Sequence, residues 1–508
     1  MESSDTKLSQ LRILLAEAHD LDRAAELLEW DQQTYMPRRG VAARAEQTAT
    51  LRQLAHEHFT SPEVGRLLDE LSQNGLSRDY DSDEASLVRV NHRDFERKRR
   101  VPGELVAEMA RAEGQAEAAW EQAKAQSDFA ILRPHLQRIV DLKRRWAECF
   151  QPDDLYDPLL QEYEPGMTTA EVRSIFADIK AGLVPLVQAI AQRADAVDDA
   201  CLQRDYPEQA QWDFGLEVLR LVGFDLEAGR LDRSAHPFTS SAAIGDVRLT
   251  TRVQVNSVSN CLYSCLHEAG HGLYEQGITP SLERTWLDGG ASLGAHESQS
   301  RLWENRVGRS RAFWQFLYPR MRAVFPQQLS DQDAESMYRA VNKVQPSLIR
   351  TEADEVTYDL HIMLRFELEQ AMLAGSLDLA DLPEIWNAHM REYLGVTPPN
   401  DAQGVLQDIH WADGLFGYFA TYSLGNVMSA QIYEQAAREL PDLDAQYASG
   451  EFRPLLDWLR EKIYRHGRKF TAPELAQRVT GRPVSTEPYL RYLREKFGAL
   501  YGIEAAAA

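Results

Sequence analysis

Residues 267–271 read His-Glu-Ala-Gly-His, and this H-E-x-x-H pentad constrains the fold more than any other feature of the chain. Its histidines are four residues apart, and side chains at that spacing meet on one face only when the segment is an α-helix. Both imidazoles can then bind a single metal ion, and Glu268 between them can deprotonate a metal-bound water. The pentad therefore predicts a helix that carries a hydrolytic zinc site.

The residues around the pentad support a helix anchored on a core. On a helical wheel, Leu262, Leu266 and Leu273 fall on the side opposite His267. Gly277 follows the last periodic residues and Pro280 lies just beyond it, a pattern typical of a helix C-terminus. We therefore expect the helix to end near Gly277.

Helical patterns also cover most of the remaining chain. Residues 7–29 carry leucines at steps of three and four, and residues 103–127 are rich in strong helix formers. Thr168 with Glu171 and Thr471 with Glu474 have the spacing of capping boxes.

One stretch departs from this pattern. Residues 236–256 are rich in Thr and Val, with alternation around 247–250, which predicts a strand pair that leads into the pentad helix. Such a strand could present its backbone to an extended peptide. No Gly/Ser-rich or Pro-rich linker and no internal repeat divides the chain. We expect one mostly α-helical domain over residues 1–508, with a small β element beside the zinc helix.

Composition excludes several classes of function. The formal net charge of −23 argues against nucleic acid and anionic membranes as partners. No window approaches 18 uninterrupted apolar residues, and the first residues lack the basic and apolar regions of a signal peptide. Four cysteines are too few for a disulfide framework, and Cys261 and Cys265 are expected to be buried, inert thiols. These features predict a cytoplasmic protein.

A catalytic zinc normally has three protein ligands and one open position, so the two pentad histidines need a partner. The next helical segment begins after Gly289-Gly290 and contains Glu297, which we favour as the third ligand. Spacing leaves two alternatives open. His296 is adjacent to Glu297, and Glu304 lies seven residues further along the same face.

Six motifs in order carry a resemblance to a known family. They are the opening set Trp30-Asp31, Thr34, Met36-Pro37, Gly40, Arg44 and Gln47; His236-Pro237-Phe238; residues 246–250 as D-x-R-x-T, followed by the pentad; His296-Glu297-Ser298-Gln299; residues 349–354 as I-R-T-E-A-D; and residues 404–411 as G-V-L-Q-D-I-H-W. Together they resemble the M32 metallocarboxypeptidases, the carboxypeptidase Taq family of gluzincin peptidases. The resemblance runs nearly end to end.

The resemblance implies a role for several residues of this chain. Glu297 matches the family's third zinc ligand, and Arg350 matches the arginine that grips the terminal carboxylate of the substrate. His410 and one tyrosine are implied to stabilise the tetrahedral intermediate, and we favour Tyr418 over Tyr422. The family fold is an almost wholly α-helical shell around a deep groove, and its members are usually dimeric.

Other residues remain candidates for substrate binding. A carboxylate is best held by a bidentate guanidinium, so Arg248 and Arg301 are alternatives to Arg350, or they form ordinary ion pairs. His236 precedes a proline and so lies in extended backbone, where it donates to the substrate or satisfies a buried loop.

The predicted function is a zinc-dependent carboxypeptidase. It would remove C-terminal residues from peptides with broad preference and little activity at a C-terminal proline, with one zinc per chain that Co²⁺ or Mn²⁺ can replace. The partners expected are peptides with a free C-terminus and a second copy of the chain. An endo-acting zinc oligopeptidase is the main alternative, and a helical scaffold that has lost the chemistry is the other.

Overall fold

The computed structural model describes residues 3–73 and 79–503, and α-helices account for most of them. In chain order the helices are α1 Ser4–Thr34, α2 Val41–Phe59, α3 Pro62–Gln73, α4 Asp83–Arg100, α5 Gly103–Gln126, α6 Phe129–Glu148, α7 Asp157–Tyr163, α8 Thr169–Ala191, α9 Glu208–Val222, α10 Val258–Gln276, α11 Leu293–Arg301, α12 Arg311–Val324, α13 Ala334–Val341, α14 Tyr358–Ala374, α15 Leu382–Leu394, α16 Ala420–Glu439, α17 Leu443–Ser449, α18 Arg453–Lys462, α19 Ala472–Thr480 and α20 Glu487–Tyr501. A π-helical turn, Leu302–Val307, continues directly from α11.

A three-stranded sheet is the β element of the described residues. Its strands are β1 Gly229–Arg233, β2 Thr239–Ala243 and β3 Asp246–Thr251. The order is β1-β3-β2, with β1 parallel and β2 antiparallel to β3, so β2 is an edge strand. The mostly helical fold with a small β element beside the pentad helix is therefore confirmed. The sequence prediction missed β1, because its residues, Gly-Arg-Leu-Asp-Arg, lack the alternating apolar pattern of a strand.

The contacts within the chain group it into two compact units, which we describe separately. Unit 1 comprises Met1–Arg99, Asp199–Val341 and Ile432–Gly481, and unit 2 comprises Arg100–Asp198, Asn342–Gln431 and Arg482–Ala508. The single domain expected over residues 1–508 stays a prediction.

The local signals in the sequence have the predicted structural effect. The helices expected over 7–29 and 103–127 are α1 and α5. Both capping boxes form, with Thr168 Oγ1 accepting from the Glu171 amide at 3.3 Å and Thr471 Oγ1 accepting from the Glu474 amide at 3.4 Å. Each box satisfies backbone N–H groups that the first turn of a helix leaves without a partner.

Helix α8 is long and apolar enough to cross a membrane by length and composition, and it is the one such helix among the described residues. It packs against α14, α15 and α20 of unit 2. Val172, Ile179 and Leu183 are among its fully buried side chains. Packing within unit 2 therefore accounts for its apolar composition, as for the core helix of a folded domain.

The pentad lies on α10, which occupies the centre of unit 1. Leu262, Leu266 and Leu273 are buried, as the helical wheel predicts, and α10 contacts α9, α11, β2 and β3. The close approach of α11 depends on Gly270. A Cβ at this position would lie 2.4 Å from the Gln299 carbonyl oxygen and 2.5 Å from Ser300 Cα. The glycine inside the pentad therefore lets the backbone of α11 reach the face of α10 that carries the two pentad histidines.

Gly277 follows the last residue of α10, as predicted, but for a different physical reason than expected. Its φ is −91°, which is the right-handed region and not the left-handed conformation that favours glycine at helix ends. Instead, a Cβ at Gly277 would lie 2.6 Å from the side chain of Tyr464. The residue is needed to make room for that ring.

We expect Gly270→Ala to destabilise the protein by about 1–3 kcal/mol or more, because the added methyl must push backbone apart and cannot be accommodated by a rotamer change. Gly114→Ala is the matched control. Gly114 is inside α5 and a Cβ there would meet nothing within 4 Å, so alanine should stabilise that helix by up to about 1 kcal/mol. Thermal or denaturant unfolding of both variants measures the difference. Equal effects would contradict the role of Gly270 in the α10–α11 contact.

Candidate active site

Three side chains of unit 1 converge on one point. Nε2 of His267 and Nε2 of His271 lie 3.5 Å and 3.4 Å from the same oxygen, Oε2 of Glu297. The ligand atoms of these three residues all lie within 4.8 Å of one another. Two imidazole nitrogens and a carboxylate oxygen form a donor set that suits a divalent transition metal, and three protein ligands leave a further position open.

Glu297 is buried, yet its surroundings favour the ionised form that a metal ligand needs. Ser300 Oγ donates to Oε2 at 2.9 Å and Arg301 Nε donates to Oε1 at 2.7 Å. Burial opposes ionisation, but Arg301 and the two pentad histidines outweigh it and hold the pKa of this carboxyl well below its usual range. Arg301, one of the candidates for substrate binding, is thus engaged with Glu297.

The two alternatives to Glu297 contact the far nitrogens of the pentad histidines. His267 Nδ1 donates to Glu304 Oε2 at 2.9 Å, and His271 Nδ1 lies 2.5 Å from His296 Nδ1. Burial opposes ionisation of Glu304, but the bond from His267 and the charge of Arg301 lower its pKa to about 2. Partners on the far nitrogens orient imidazoles and fix the tautomer that leaves Nε2 free to bind a metal.

Glu268 lies beside this centre and is only 5% exposed. The Thr239 hydroxyl donates to its Oε2 at 2.6 Å, so the edge strand β2 contacts the carboxylate directly. Burial raises the pKa of Glu268, and His267 and Thr239 only partly offset this effect. A carboxylate with a raised pKa accepts a proton more readily, which suits a general base. The sequence prediction did not include Thr239, although it lies in the strand expected to lead into α10.

Unit 2 contains a second buried cluster, built around Asp408. Arg350 donates to Asp408 Oδ1 from Nε at 3.1 Å and from Nη2 at 2.8 Å, and Arg365 Nε donates to Oδ2 at 2.7 Å. The Arg350 Nη1 group donates to the Tyr358 hydroxyl at 3.1 Å. Arg350 is 6% exposed and Arg365 is 0% exposed. The candidates predicted from the sequence include Arg350 but neither Asp408 nor Arg365.

This cluster carries excess positive charge. Despite burial, Arg365 and Arg350 hold the pKa of Asp408 well below its usual range, so it is an anion. Two guanidinium groups against one carboxylate leave one net positive charge among these three residues. Burying unbalanced charge is costly, and an incoming anion relieves that cost.

The remaining predicted residues of unit 2 surround the same cluster. The Arg350 guanidinium carbon lies 5.2 Å from the centroid of the Tyr422 ring, and the Tyr418 ring lies 5.5 Å from Tyr422 and 5.4 Å from His410. Burial lowers the pKa of His410 to about 4, with Asp408 opposing the shift and Arg350 reinforcing it. His410 is therefore neutral near pH 7. The structure brings Arg350, His410, Tyr418 and Tyr422 together, as predicted.

His236 and Arg248, the other two candidates, belong to unit 1. His236 is exposed at the turn before β2, and its carbonyl accepts from Ser234 Oγ at 2.5 Å. Arg248 donates twice to Asp246, both at 2.8 Å, and its guanidinium lies 4.2 Å from the Trp30 ring centroid. The contact with Trp30 joins β3 to α1. A role for either residue in substrate binding stays a prediction.

Comparison with known proteins agrees with this geometry. The family model of the carboxypeptidase Taq (M32) metallopeptidases matches residues 10–497. The chain is 46% identical to thermostable carboxypeptidase 1 of Thermus thermophilus over 486 residues, which covers 94% of this chain and 95% of that protein. It is 35% identical to carboxypeptidase 1 of Bacillus subtilis, covering 96% and 97% of the two chains. The crystal structure of the M32 carboxypeptidase from Deinococcus radiodurans matches with a TM-score of 0.95 and 43% identity, covering 98% of this chain and 100% of that one.

The chain belongs to the M32 family of metallocarboxypeptidases. It is therefore a peptide hydrolase, and its family implies a divalent metal ion and peptide substrates. The residues of unit 1 fit such an ion, because His267, His271 and Glu297 direct three donor atoms at one point while their other atoms are held by neighbours. The M32 resemblance drawn from the sequence motifs is confirmed.

The ligand set can be tested by metal binding. We expect Glu297→Ala to weaken Zn²⁺ binding by several orders of magnitude, since it removes a direct donor. Glu304→Gln should weaken it by only about 10- to 100-fold, since Glu304 acts through His267. Competition with a chromophoric chelator measures both dissociation constants. Glu304→Gln losing the metal while Glu297→Ala retains it would reverse the assignment.

Proposed function

We propose that this M32 enzyme is a zinc-dependent carboxypeptidase with broad preference for the residue that it removes. The observation that carries the proposal is the convergence of His267, His271 and Glu297 beside the buried carboxylate of Glu268. Zinc is proposed as the ion because two imidazoles and one carboxylate are the ligands of many catalytic zinc sites. Co²⁺ or Mn²⁺ can occupy such a donor set.

When bound, the zinc ion would act as a Lewis acid that polarises the scissile carbonyl and lowers the pKa of water. The chain supplies the proton transfers. Thr239 occupies Oε2 of Glu268, so Oε1 is the oxygen left to take a proton from the attacking water. Glu268 then passes that proton to the nitrogen of the leaving amine. The raised pKa of Glu268 favours the protonated form between these two steps.

Recognition of the chain end is assigned to Arg350. Asp408 accepts from Nε and Nη2 of the Arg350 guanidinium, and the Tyr358 hydroxyl accepts from Nη1. One N–H on each of Nη1 and Nη2 is left for a second carboxylate. A substrate carboxylate there would balance the net positive charge of the cluster. This contact involves the terminal carboxylate of the substrate and none of its side chains. It is therefore compatible with broad preference for the C-terminal residue.

The oxyanion that develops on the scissile carbonyl needs hydrogen-bond donors. We assign His410 and Tyr418 to this role, with Tyr422 as the second candidate. A neutral His410 carries one N–H to donate, and a tyrosine hydroxyl donates without losing its proton. Each such donor typically contributes about 3–4 kcal/mol to the stabilisation of the transition state. A cytoplasmic location and a homodimer remain predictions.

Glu268→Gln should retain the bound metal ion but lose peptide hydrolysis. The amide can still accept a bond from Thr239 but cannot take a proton, so we expect kcat to fall by about 10²- to 10⁴-fold or more. The zinc content and the unfolding temperature should match those of the wild type. The rate at which the terminal amino acid is released from a peptide with a free C-terminus measures kcat. Retained turnover in a zinc-loaded variant would remove Glu268 from its role as the base.

Arg350→Lys tests the recognition of the terminal carboxylate. Lysine keeps the charge but loses the planar pair of donors, so we expect kcat/KM for peptides with a free C-terminus to fall by about 10- to 100-fold, or about 1.4–3 kcal/mol. Arg173→Lys is the control, since Arg173 is a half-exposed arginine of the same unit that is paired with Asp154.

C-terminally amidated peptides distinguish the proposed enzyme from an endo-acting oligopeptidase. We expect amidation to reduce kcat/KM of the wild type and to remove most of the difference between wild type and Arg350→Lys. Internal cleavage of amidated peptides at an undiminished rate would support the endo-acting alternative.

A further inference from the structure

His296 and Glu275 continue the hydrogen-bond network of the metal centre beyond His271. His296 Nδ1 lies 2.5 Å from His271 Nδ1, and its other ring nitrogen, Nε2, lies 2.6 Å from Glu275 Oε1. Both nitrogens of His296 are therefore occupied by protein partners. Its position beside His271 identifies it as a partner of that ligand and not as a ligand itself.

The direction of these hydrogen bonds follows from the chemistry of the groups. A carboxylate only accepts, so the proton between His296 and Glu275 belongs to His296 Nε2. A neutral imidazole then has an acceptor at Nδ1, which takes the proton that His271 Nδ1 donates. His271 is left with its lone pair on Nε2, the atom that lies 3.4 Å from Glu297 Oε2.

The surrounding structure is shaped to hold His296 in this orientation. A Cβ on Gly290 would lie 2.6 Å from His296 Cδ2, so the ring occupies the place where a side chain of residue 290 would be. The Tyr274 ring lies on it, with centroids 5.2 Å apart and an angle of 30° between the planes. Glu275 lies one turn beyond His271 on α10 and is 7% exposed.

We propose that His296 and Glu275 form a positioning dyad that fixes His271 in the tautomer and orientation required for metal binding. This inference rests on the proposed metal site of His267, His271 and Glu297. The two ligand histidines are thus supported differently. His267 donates directly to the carboxylate of Glu304, whereas His271 donates to an imidazole that in turn donates to Glu275. Partners of this kind orient the ligand and increase its donor strength.

Substitutions at His296 test the dyad. His296→Phe keeps the approximate size of the ring but removes the acceptor, and we expect it to weaken Zn²⁺ binding by about 10- to 100-fold in chelator competition. His296→Asn places an amide oxygen close to the former Nδ1, so it should recover binding to within a few-fold of the wild type. His135→Phe, which changes a histidine on α6 outside the site, controls for loss of a histidine elsewhere.

NMR spectroscopy can detect the proton on His271 Nδ1 directly. In the Co²⁺-loaded protein, the exchangeable Nδ1–H protons of ligand histidines give strongly shifted ¹H NMR signals in H₂O that disappear in D₂O. We expect two such signals in the wild type, from His267 and His271. In His296→Phe the His271 signal should be lost to exchange, while His296→Asn should retain it. A purely structural role for His296 would not discriminate between these two variants at this proton.

Glu275 provides a second test that does not depend on the folding of His296→Phe. Both residues line a cavity of about 500 Å³ in unit 1, which leaves room for altered side chains. Glu275→Gln keeps an acceptor oxygen for His296, and the charge it removes is one hydrogen bond further from the ligands than that of Glu304. It should therefore bind Zn²⁺ to within a few-fold of the wild type, whereas Glu275→Leu should bind it more weakly. Wild-type affinity and both N–H signals in His296→Phe or Glu275→Leu would overturn the dyad. Absence of peptide hydrolysis by the zinc-loaded wild type would instead overturn the proposed function and leave these metal-binding results intact.

Discussion

The proposed metal centre of unit 1 depends on one constraint, the buried and ionised carboxylate of Glu297. An isolated carboxylate in this position would be neutralised or expelled, because burying a charge without partners is costly. Ser300 and Arg301 from its own helix region and the two pentad histidines from α10 provide the required partners. The histidines can do so only because Gly270 allows the backbones of α10 and α11 to approach. The contact between α10 and α11 therefore requires both close backbone packing at Gly270 and charged partners for Glu297.

The two buried clusters have opposite electrostatic character. Around the pentad, the carboxylates of Glu268, Glu297 and Glu304 exceed the guanidinium groups of Arg301 and Arg309 that contact them. That excess of negative charge favours a cation. Around Asp408, two arginines exceed one carboxylate, and the excess favours an anion. Each cluster therefore favours a ligand of opposite charge, which agrees with the roles proposed for them in binding a metal ion and a peptide carboxylate.

Much of this organisation could be predicted from the sequence, because its signals are local. Each of these signals depends on spacing along a single helix, which a periodic sequence pattern shows. They are the pentad, the two capping boxes and the helical segment with Glu297 that follows Gly289-Gly290. Partners that come from distant parts of the chain carry no such signal. Thr239 reaches Glu268 across 29 residues, and Asp408 reaches Arg350 across 58 residues. Spacing alone also leaves His296 and Glu304 as possible ligands, because it cannot show that they contact Nδ1 of the pentad histidines and not the point where the Nε2 atoms converge.

The glycines near the site show why sequence rules for glycine need a structure to be interpreted. Gly277 follows the end of α10, where a left-handed cap is the usual explanation, yet its backbone is right-handed and its role is to admit the Tyr464 ring. Gly270 and Gly290 likewise make space, for the α11 backbone and for the His296 ring. Where polar groups pack closely, a glycine can position a functional group by leaving space for it. The geometry of the proposed metal centre therefore depends on Gly270 and Gly290 as well as on the histidines and carboxylates around them.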